Sequence, residues 1–301
     1  MQELTSKSIQ SDVLVNGLQL AYTDWGGSGL NIILIHGARF SRQNWDLVAP
    51  LLRQRWRVLA LDVRGHGDSD KPVKGYDIPA LASDLHGFLT ALEVSNPLLV
   101  GHSLGASVVA EYGKAHPSVP CGLVFVDGIM PPPPPPELRE KVLDDFGTSD
   151  YDGITLEELK NKLRSESMAK FMSPAIENIM LRAFESRPDK TWGYSLSGAD
   201  MKKIISAIWD HDLMAVLSEI QNPVVIMPAR DMRDAARSQY NSQKKERVSE
   251  ACKLIRTCKI VWVENSSHSV TLQHLEVVAT ALQTHVDAGF FGPDAKTEAS
   301  S

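Results

Sequence analysis

A serine between two glycines is the residue of this sequence best suited to nucleophilic chemistry. The segment Gly101-His102-Ser103-Leu104-Gly105 follows the apolar residues 97–100 and precedes a helical pattern over residues 106–116. A Gly-x-Ser-x-Gly segment between a buried strand and a helix forms a sharp, strained turn in which larger residues would clash. The hydroxyl then projects at the amino end of a helix, where negative charge is favoured. The pattern predicts that Ser103 is a nucleophile.

A serine hydroxyl needs a neighbouring base, and a carboxylate commonly orients that base. His268 follows the last predicted strand and precedes the last predicted helix, so we expect it at the same sheet edge as the serine. The chain order serine, acid, histidine favours Asp231, which follows the predicted strand 223–227. Asp127, at the end of the preceding strand, and Asp234, three residues beyond Asp231, remain alternatives.

Short apolar runs alternate with amphipathic segments through most of the chain. Strands are predicted at residues 13–15, 18–22, 31–35, 57–61, 98–100, 122–127, 223–227 and 259–263. Helices are predicted from near Ser41, from Asp77, over 106–116 and 235–253, and at the carboxyl end from Leu272 to Val286. This alternation predicts an α/β fold with a mostly parallel sheet covered on both faces, in which ligands bind at the carboxyl ends of the strands.

The pattern changes between residues 131 and 217. Six consecutive prolines at 131–136 predict a stiff extended spacer, although a ligand for a proline-binding module is an alternative. The following residues contain four helical patterns and no convincing strand. We interpret residues 131–217 as a helical cap inserted into a core domain formed by residues 1–130 and 218–301.

Composition narrows the functional classes. The chain has 301 residues, 43% hydrophobic residues and a formal net charge of −6, which is typical of a globular protein and gives no basic face for nucleic acid. Cys121, Cys252 and Cys258 fit no metal signature, and Cys121 is expected to be a buried apolar side chain. With no signal-peptide pattern and no run long enough to cross a bilayer, we expect a cytoplasmic protein without membrane contact.

Five parts of the sequence together resemble the α/β-hydrolase family, and within it the capped esterase and lactonase branch. They are His36-Gly37-Ala38, residues 62–69, residues 101–105, Asp231 and His268. The resemblance extends over residues 13–286 and implies an eight-stranded sheet with a cap. It also implies that small-molecule carboxylic esters or lactones are cleaved through an acyl-enzyme, without a metal or organic cofactor.

The resemblance also implies roles for residues around the nucleophile. The backbone N–H groups of Ala38 and Leu104 are expected to form the oxyanion hole. His36 is expected to hold the oxyanion loop, and His66 to belong to a structural turn. Epoxide hydrolases and haloalkane dehalogenases of this fold need a carboxylate nucleophile, so a serine at position 103 excludes both classes of enzyme.

Three residues are candidates for substrate contact. Arg39 could bind a substrate carboxylate at the pocket mouth, although a role in bracing its loop is the alternative. His102 flanks the nucleophile, with its ring expected to point away from it, and Trp192 represents the apolar underside of the predicted cap.

Two other functions remain open on the sequence. A carbon–carbon bond hydrolase or a cofactor-free perhydrolase would use the same three residues, and a small-ligand receptor would keep the pocket without turnover. The oligomeric state and the choice between ester and lactone are not determined by these patterns.

Overall fold

The computed structural model describes residues 8–165, 168–231 and 237–292. Its main feature is an eight-stranded sheet whose spatial order is first, second, fourth, third, fifth, sixth, ninth and eleventh strand. These strands are β1 (Ile9–Val15), β2 (Leu18–Asp24), β3 (Asn31–Ile35), β4 (Arg57–Leu61), β5 (Leu98–His102), β6 (Gly122–Val126), β9 (Val224–Met227) and β11 (Cys258–Ile260). Strands β1 and β2 run antiparallel to their neighbours and the others run parallel, which confirms the predicted mostly parallel sheet.

Helices cover both faces of the sheet because its central strands are apolar on both sides. In β3, Ile33 and Ile35 face one hydrophobic cluster, while Ile32 and Leu34 face the other. The helices of the sheet domain are α1 (Ala49–Leu52), α2 (Ile78–Ala91), α3 (Leu104–Ala115), α9 (Ser238–Leu254), α10 (Val270–Gln273) and α11 (Leu275–Asp287). Residues of α2, α3 and α9 join the first cluster, and residues of α1 and α11 join the second.

Most predicted elements occur, with local differences. Asp77 caps α2 by accepting a hydrogen bond from the amide of Ala80, as expected of a helix start. The single helix predicted from Ser41 is instead a 3₁₀ turn, Arg42–Trp45, followed by α1, and Ser41 makes no side-chain cap bond. The last predicted strand is likewise split into β11 and the short β12 (Val263–Glu264), which pairs with β10 (Ala229–Arg230).

The insertion, residues 131–217, lies between β6 and β9 and is mostly helical. It contains α4 (Pro136–Gly147), α5 (Leu156–Ser165), a 3₁₀ turn (Ala169–Phe171), α6 (Pro174–Leu181), α7 (Gly198–Asp210) and the start of α8 (Leu213–Glu219). The expectation that it holds no strand is wrong, because β7 (Phe184–Ser186) and β8 (Trp192–Tyr194) form an antiparallel hairpin. These three-residue strands are too short for a sequence pattern, and the stacked rings of Phe184 and Tyr194, 4.3 Å apart, contribute to holding them together.

Two of the three cysteines form a disulfide, and the third is free. Cys252, near the end of α9, forms a disulfide with Cys258 at the start of β11, which the sequence analysis did not predict. Cys121 is free and packs against the second cluster, and burial raises the pKa of its thiol to about 11. No helix in the described ranges is long and apolar enough to cross a membrane.

Three buried histidines and the half-buried Asp46 make folding sensitive to pH. Burial lowers the pKa of His36 to about 4 and the pKa of both His66 and His102 to about 3. The unfolded chain protonates histidine near pH 6.5, so the stability due to these neutral rings is complete above about pH 6.5 and is lost as the pH falls toward their folded values. Burial raises the pKa of the Asp46 carboxyl group to about 7, so its contribution is instead lost as the pH rises through about 7.

We therefore expect substitutions at His66 and Asp46 to change the pH dependence of stability in opposite directions. Between about pH 4.5 and 6, His66→Gln makes the rise of the unfolding free energy with pH shallower by up to about 1.4 kcal/mol per pH unit. Asp46→Asn makes the same rise steeper by a similar amount. Urea unfolding at several pH values measures both slopes, and a change of the same sign in the two variants would contradict the assignment.

Candidate active site

Ser103 lies on the sharp turn between β5 and α3. Its φ is 53° and its ψ is −116°, a strained conformation for a residue with a side chain. A Cβ at Gly101 would lie 2.1 Å from the carbonyl oxygen of Gly105, and a Cβ at Gly105 would lie 2.4 Å from the carbonyl oxygen of Ile35. The two glycines are thus required by close backbone approaches, as the sequence pattern predicts.

His268 reaches the serine from the loop before α10. Its Nε2 lies 2.9 Å from Ser103 Oγ, and its side chain is 41% exposed, so the reacting edge of the pair is open. Two buried groups hold this loop: His102 Nε2 donates to the carbonyl of His268 at 2.8 Å, and Gln273 Oε1 accepts from the amide of Ser267 at 2.8 Å. The structure therefore brings Ser103 and His268 together across 165 residues of sequence.

Asp127, and not Asp231, is the carboxylate against His268, which corrects the first choice of the sequence analysis. Asp127 Oδ2 lies 2.7 Å from His268 Nδ1. Asp127 directly follows β6, with a φ of 47°, and its amide donates to the carbonyl of Met227 at the end of β9. Asp231 follows β10, and its carbonyl accepts from the side chain of Asn241. Asp234, the other alternative, lies outside the described residues.

Asp127 is held ionised although it is almost completely buried. Its Oδ1 accepts from the amide of Ala229 at 2.8 Å and from Lys244 Nζ at 2.5 Å. Burial by itself raises the pKa of a carboxyl group, but the hydrogen bond from His268 and the charge of Lys244 outweigh it. The pKa of Asp127 is consequently far below its usual range. An ionised carboxylate at Nδ1 fixes the tautomer that leaves His268 Nε2 free to accept a proton from the serine.

The loop after β3 lies beside the nucleophile. A Cβ at Gly37 would be 2.9 Å from the Cβ of Ser103, so only glycine fits there. His36 braces this loop, because its ring bonds to the carbonyl of Gly37 at 2.8 Å and accepts from the amide of Val63 at 3.1 Å. Within the described part of the chain, no backbone hydrogen bond is donated by the amide of Ala38 or of Leu104. Both amides are thus available for the oxyanion role, which stays a prediction.

The three candidate substrate contacts have different positions. His102 is fully buried, and its Nε2 is hydrogen-bonded to the carbonyl of His268. The expectation that it contacts substrate is therefore wrong, and its ring instead supports the loop that carries His268. The guanidinium of Arg39 donates to the carbonyl of Phe146 and lies 4.4 Å from the ring centre of Tyr194, which favours the bracing alternative. Trp192 lies on β8 and packs against the cluster around Leu159, Leu163 and Phe184.

Lys244 is the residue of the site that the sequence analysis missed. It lies on α9, whose polar composition gives no sign that one of its lysines is buried. A weak signal exists in the sequence, because Lys244 shares a four-residue and seven-residue spacing with Val248 and Ala251, the other buried residues of this helix. Only the structure shows that the side chain of Lys244, on this buried face of α9, contacts Asp127.

Comparisons with known proteins agree with this architecture. Residues 32–281 match the sequence profile of the alpha/beta hydrolase family. A non-heme chloroperoxidase of Streptomyces lividans is 35% identical over 119 residues, which is 38% of this chain and less than half, 43%, of that protein. The crystal structure of E-2-(acetamidomethylene)succinate hydrolase superposes with a TM-score of 0.77 at 22% identity, covering 93% of this chain and 100% of that one.

A thermophilic esterase from Thermogutta terrifontis superposes with a TM-score of 0.69 at 20% identity, over 93% of this chain and 98% of that one. At these identities the structural likeness shows a shared fold only. The sequence profile, in contrast, extends over most of the chain and includes the turn at Ser103. The protein therefore belongs to the alpha/beta hydrolase family.

Proposed function

We propose that this protein hydrolyses carboxylic ester or lactone bonds of small molecules through a serine acyl-enzyme. The observation that carries the proposal is the continuous chain of hydrogen bonds from Ser103 Oγ through His268 to Asp127, with lengths of 2.9 Å and 2.7 Å. The three side chains have the relative positions that a nucleophile, a base and an orienting acid need.

The reaction follows from that geometry. Ser103 Oγ attacks the substrate carbonyl carbon while its proton passes to His268 Nε2, and the oxyanion is bound by the amides of Ala38 and Leu104. When the tetrahedral intermediate collapses, His268 returns the proton to the leaving alkoxide. Water then attacks the acyl carbon while His268 takes its proton, and the second tetrahedral intermediate collapses as His268 returns that proton to Ser103 Oγ and the acid is released. In a lactone, the leaving alcohol remains part of the acyl chain, so the final product is a single hydroxy acid.

Contacts between the insertion and the loop that carries His268 support its interpretation as a cap. Gln273, which anchors the histidine loop, also donates from Nε2 to the sulfur of Met168 at 3.1 Å. Leu272 and Leu47 pack with Ile176 and Ile179 of α6 in one apolar cluster. We propose that residues 131–217 cap the sheet domain, that catalysis needs no cofactor or metal, and that the enzyme works in the cytoplasm without nucleic-acid or membrane partners.

A perhydrolase is the second candidate, and the partial match to a non-heme chloroperoxidase favours keeping it. It would form the same acyl-enzyme, and hydrogen peroxide instead of water would attack it to release a peracid. The bonded Ser103–His268 pair argues against a receptor without turnover, because a binding pocket has no need of an activated hydroxyl.

We expect hydrolysis of p-nitrophenyl acetate by the wild type and a loss of about 10⁴-fold or more in kcat/KM in Ser103→Ala. Ser107→Ala, on the same helix one turn later, is the matched control and should keep near-wild-type activity. An assay of the ring opening of acyl lactones, monitored by proton release, distinguishes a lactonase from an esterase. Formation of a peracid in the presence of hydrogen peroxide would identify a perhydrolase. Turnover that does not depend on Ser103 would refute the proposal.

Asparagine substitutions at the two rival acids test which one orients His268. Asp127→Asn is expected to lower kcat by about 10⁴-fold, because the amide favours the wrong imidazole tautomer, whereas Asp231→Asn should stay within about threefold of wild type. Since Asp127→Asn also leaves Lys244 without its counter-charge, thermal melting should accompany the kinetics. The double variant Asp127→Asn/Lys244→Gln removes that buried charge and should remain as inactive as the single variant. A large loss in Asp231→Asn alone would restore the original choice.

A further inference from the structure

We propose that Lys244 is a positioning residue of the active site, which fixes Asp127 and offsets its charge so that His268 stays unprotonated, and active as a base, at lower pH. The consequence for turnover rests on the proposed hydrolase function. The effect on His268 itself does not, and the experiments separate the two.

Lys244 is buried to a degree that requires a specific partner. The residue is 2% exposed, and it stands with Val248 and Ala251 on the face of α9 that packs toward the sheet. A lysine is almost never buried this completely unless it is paired, because removing an ammonium group from water costs several kcal/mol. Its Nζ lies 2.5 Å from Asp127 Oδ1 and 5.6 Å from the ring centre of Tyr240.

The carboxylate of Asp127 is held from both sides. Lys244 and the amide of Ala229 bond to Oδ1, while His268 bonds to Oδ2. With both oxygens engaged by groups on different elements, the carboxylate plane cannot rotate away from the imidazole without losing a charged hydrogen bond. The orientation of the His268 ring toward Ser103 therefore depends on Lys244, which acts through Asp127.

The same contact controls the charge balance. With His268 neutral, the Lys244–Asp127 pair sums to zero, and protonation of His268 adds one positive charge to a buried cluster that already holds an ammonium group. Without Lys244, the same protonation would neutralise an isolated buried carboxylate and would be strongly favoured. Lys244 thus opposes protonation of the base and keeps it ready to accept the proton of Ser103.

Other ionisable groups near the cluster keep a constant charge over the pH range of interest. Burial lowers the pKa of His102, whose ring centre lies 4.8 Å from that of His268, to about 3, and lowers the pKa of His36 to about 4. Burial raises the pKa of Tyr240 to about 12, against the opposing effect of the positive charge of Arg237. Asp46, whose pKa is raised to about 7, titrates in the same range but is common to all variants, so a difference between a Lys244 variant and the wild type between about pH 5 and 9 is assigned to His268 and its partners.

Two substitutions separate the effect of the Lys244 charge from the effect of its hydrogen bond. Lys244→Gln keeps a hydrogen-bond donor for Asp127 but removes the charge. In this variant we expect the acid limb of the pH profile of kcat/KM for p-nitrophenyl acetate to move to higher pH by about half a unit or more, while kcat on the plateau stays within about threefold of wild type. Lys244→Met removes both, and we expect the same movement together with a fall of about tenfold in plateau kcat at unchanged KM. The exposed neighbour Lys245, changed to Gln and to Met, provides the matched controls, whose profiles should coincide with wild type.

A readout without turnover keeps the test independent of the hydrolase proposal. In a Ser103→Ala background, the Nδ1 proton of His268 and its ring resonances can be followed by NMR across the same pH range. We expect the titration midpoint in Lys244→Gln to move in the direction of the kinetic limb. If the wild type shows no esterase or lactonase activity, this measurement still decides the role of Lys244.

The outcomes are distinct. Kinetic and NMR profiles of both Lys244 variants that coincide with wild type would overturn the proposal. A lower melting temperature with an unmoved acid limb, or failure of both variants to fold while the Lys245 variants fold, would assign Lys244 to the stability of the fold alone.

Discussion

A carboxylate that is buried away from water must accept hydrogen bonds from the protein. At Asp127 this requirement determines how the site is arranged. The matching groups come from three parts of the chain: the amide of Ala229, the ammonium group of Lys244 and the imidazole of His268. Each of them would leave an expensive unpaired group behind if it moved away. One buried charge thereby ties the end of β6 to the start of β10, to α9 and to the histidine loop.

The sheet makes this convergence possible. Strands β5, β6 and β9 are parallel neighbours, so their carboxyl ends lie side by side at one edge. Ser103 and Asp127 each follow one of these strands, and their amides bond to the carbonyl groups of Val126 and Met227 on the next strand along the sheet. Ser103 and Asp127 are thus placed by sheet register, whereas His268 is placed by a loop. His268 accordingly has additional supports, in His102 and Gln273, that the other two residues do not need.

The parts of this arrangement that could be predicted are those fixed by local sequence. Runs such as 31–35 and 57–61 become β3 and β4 with the predicted bounds, because an apolar strand buried on both faces has a distinct pattern. The turn at Ser103 has a local signature as well, since Gly101 is required by its approach to the backbone of Gly105, although Gly105 is required by the backbone of Ile35 on the neighbouring strand β3.

The acid could not be chosen locally. Asp127 directly follows β6 and Asp231 lies four residues beyond β9, two parallel strands that end at the same edge of the sheet, and both residues satisfy the expected chain order of serine, acid and histidine. The choice is made by contacts with residues more than a hundred positions away, namely Ala229, Lys244 and His268. Lys244 is marked only by its spacing with Val248 and Ala251, and that spacing does not show that its partner is Asp127, which is likewise more than a hundred positions away.

Residues 131–217 contact the chain on both sides of Ser103, and this links the position of that segment to the geometry of the site. On one side, Arg39 of the loop after β3 bonds to the carbonyl of Phe146 and packs over Tyr194. On the other side, Gln273 joins the amide of Ser267 to the sulfur of Met168. A shift of the insertion would therefore pull on the loop that carries the Ala38 amide and on the loop that carries His268. In such an arrangement, any interaction that orders residues 131–217 also orders the loop that carries Ala38 and the loop that carries His268, so binding energy gained at one of these segments can be used to align the others.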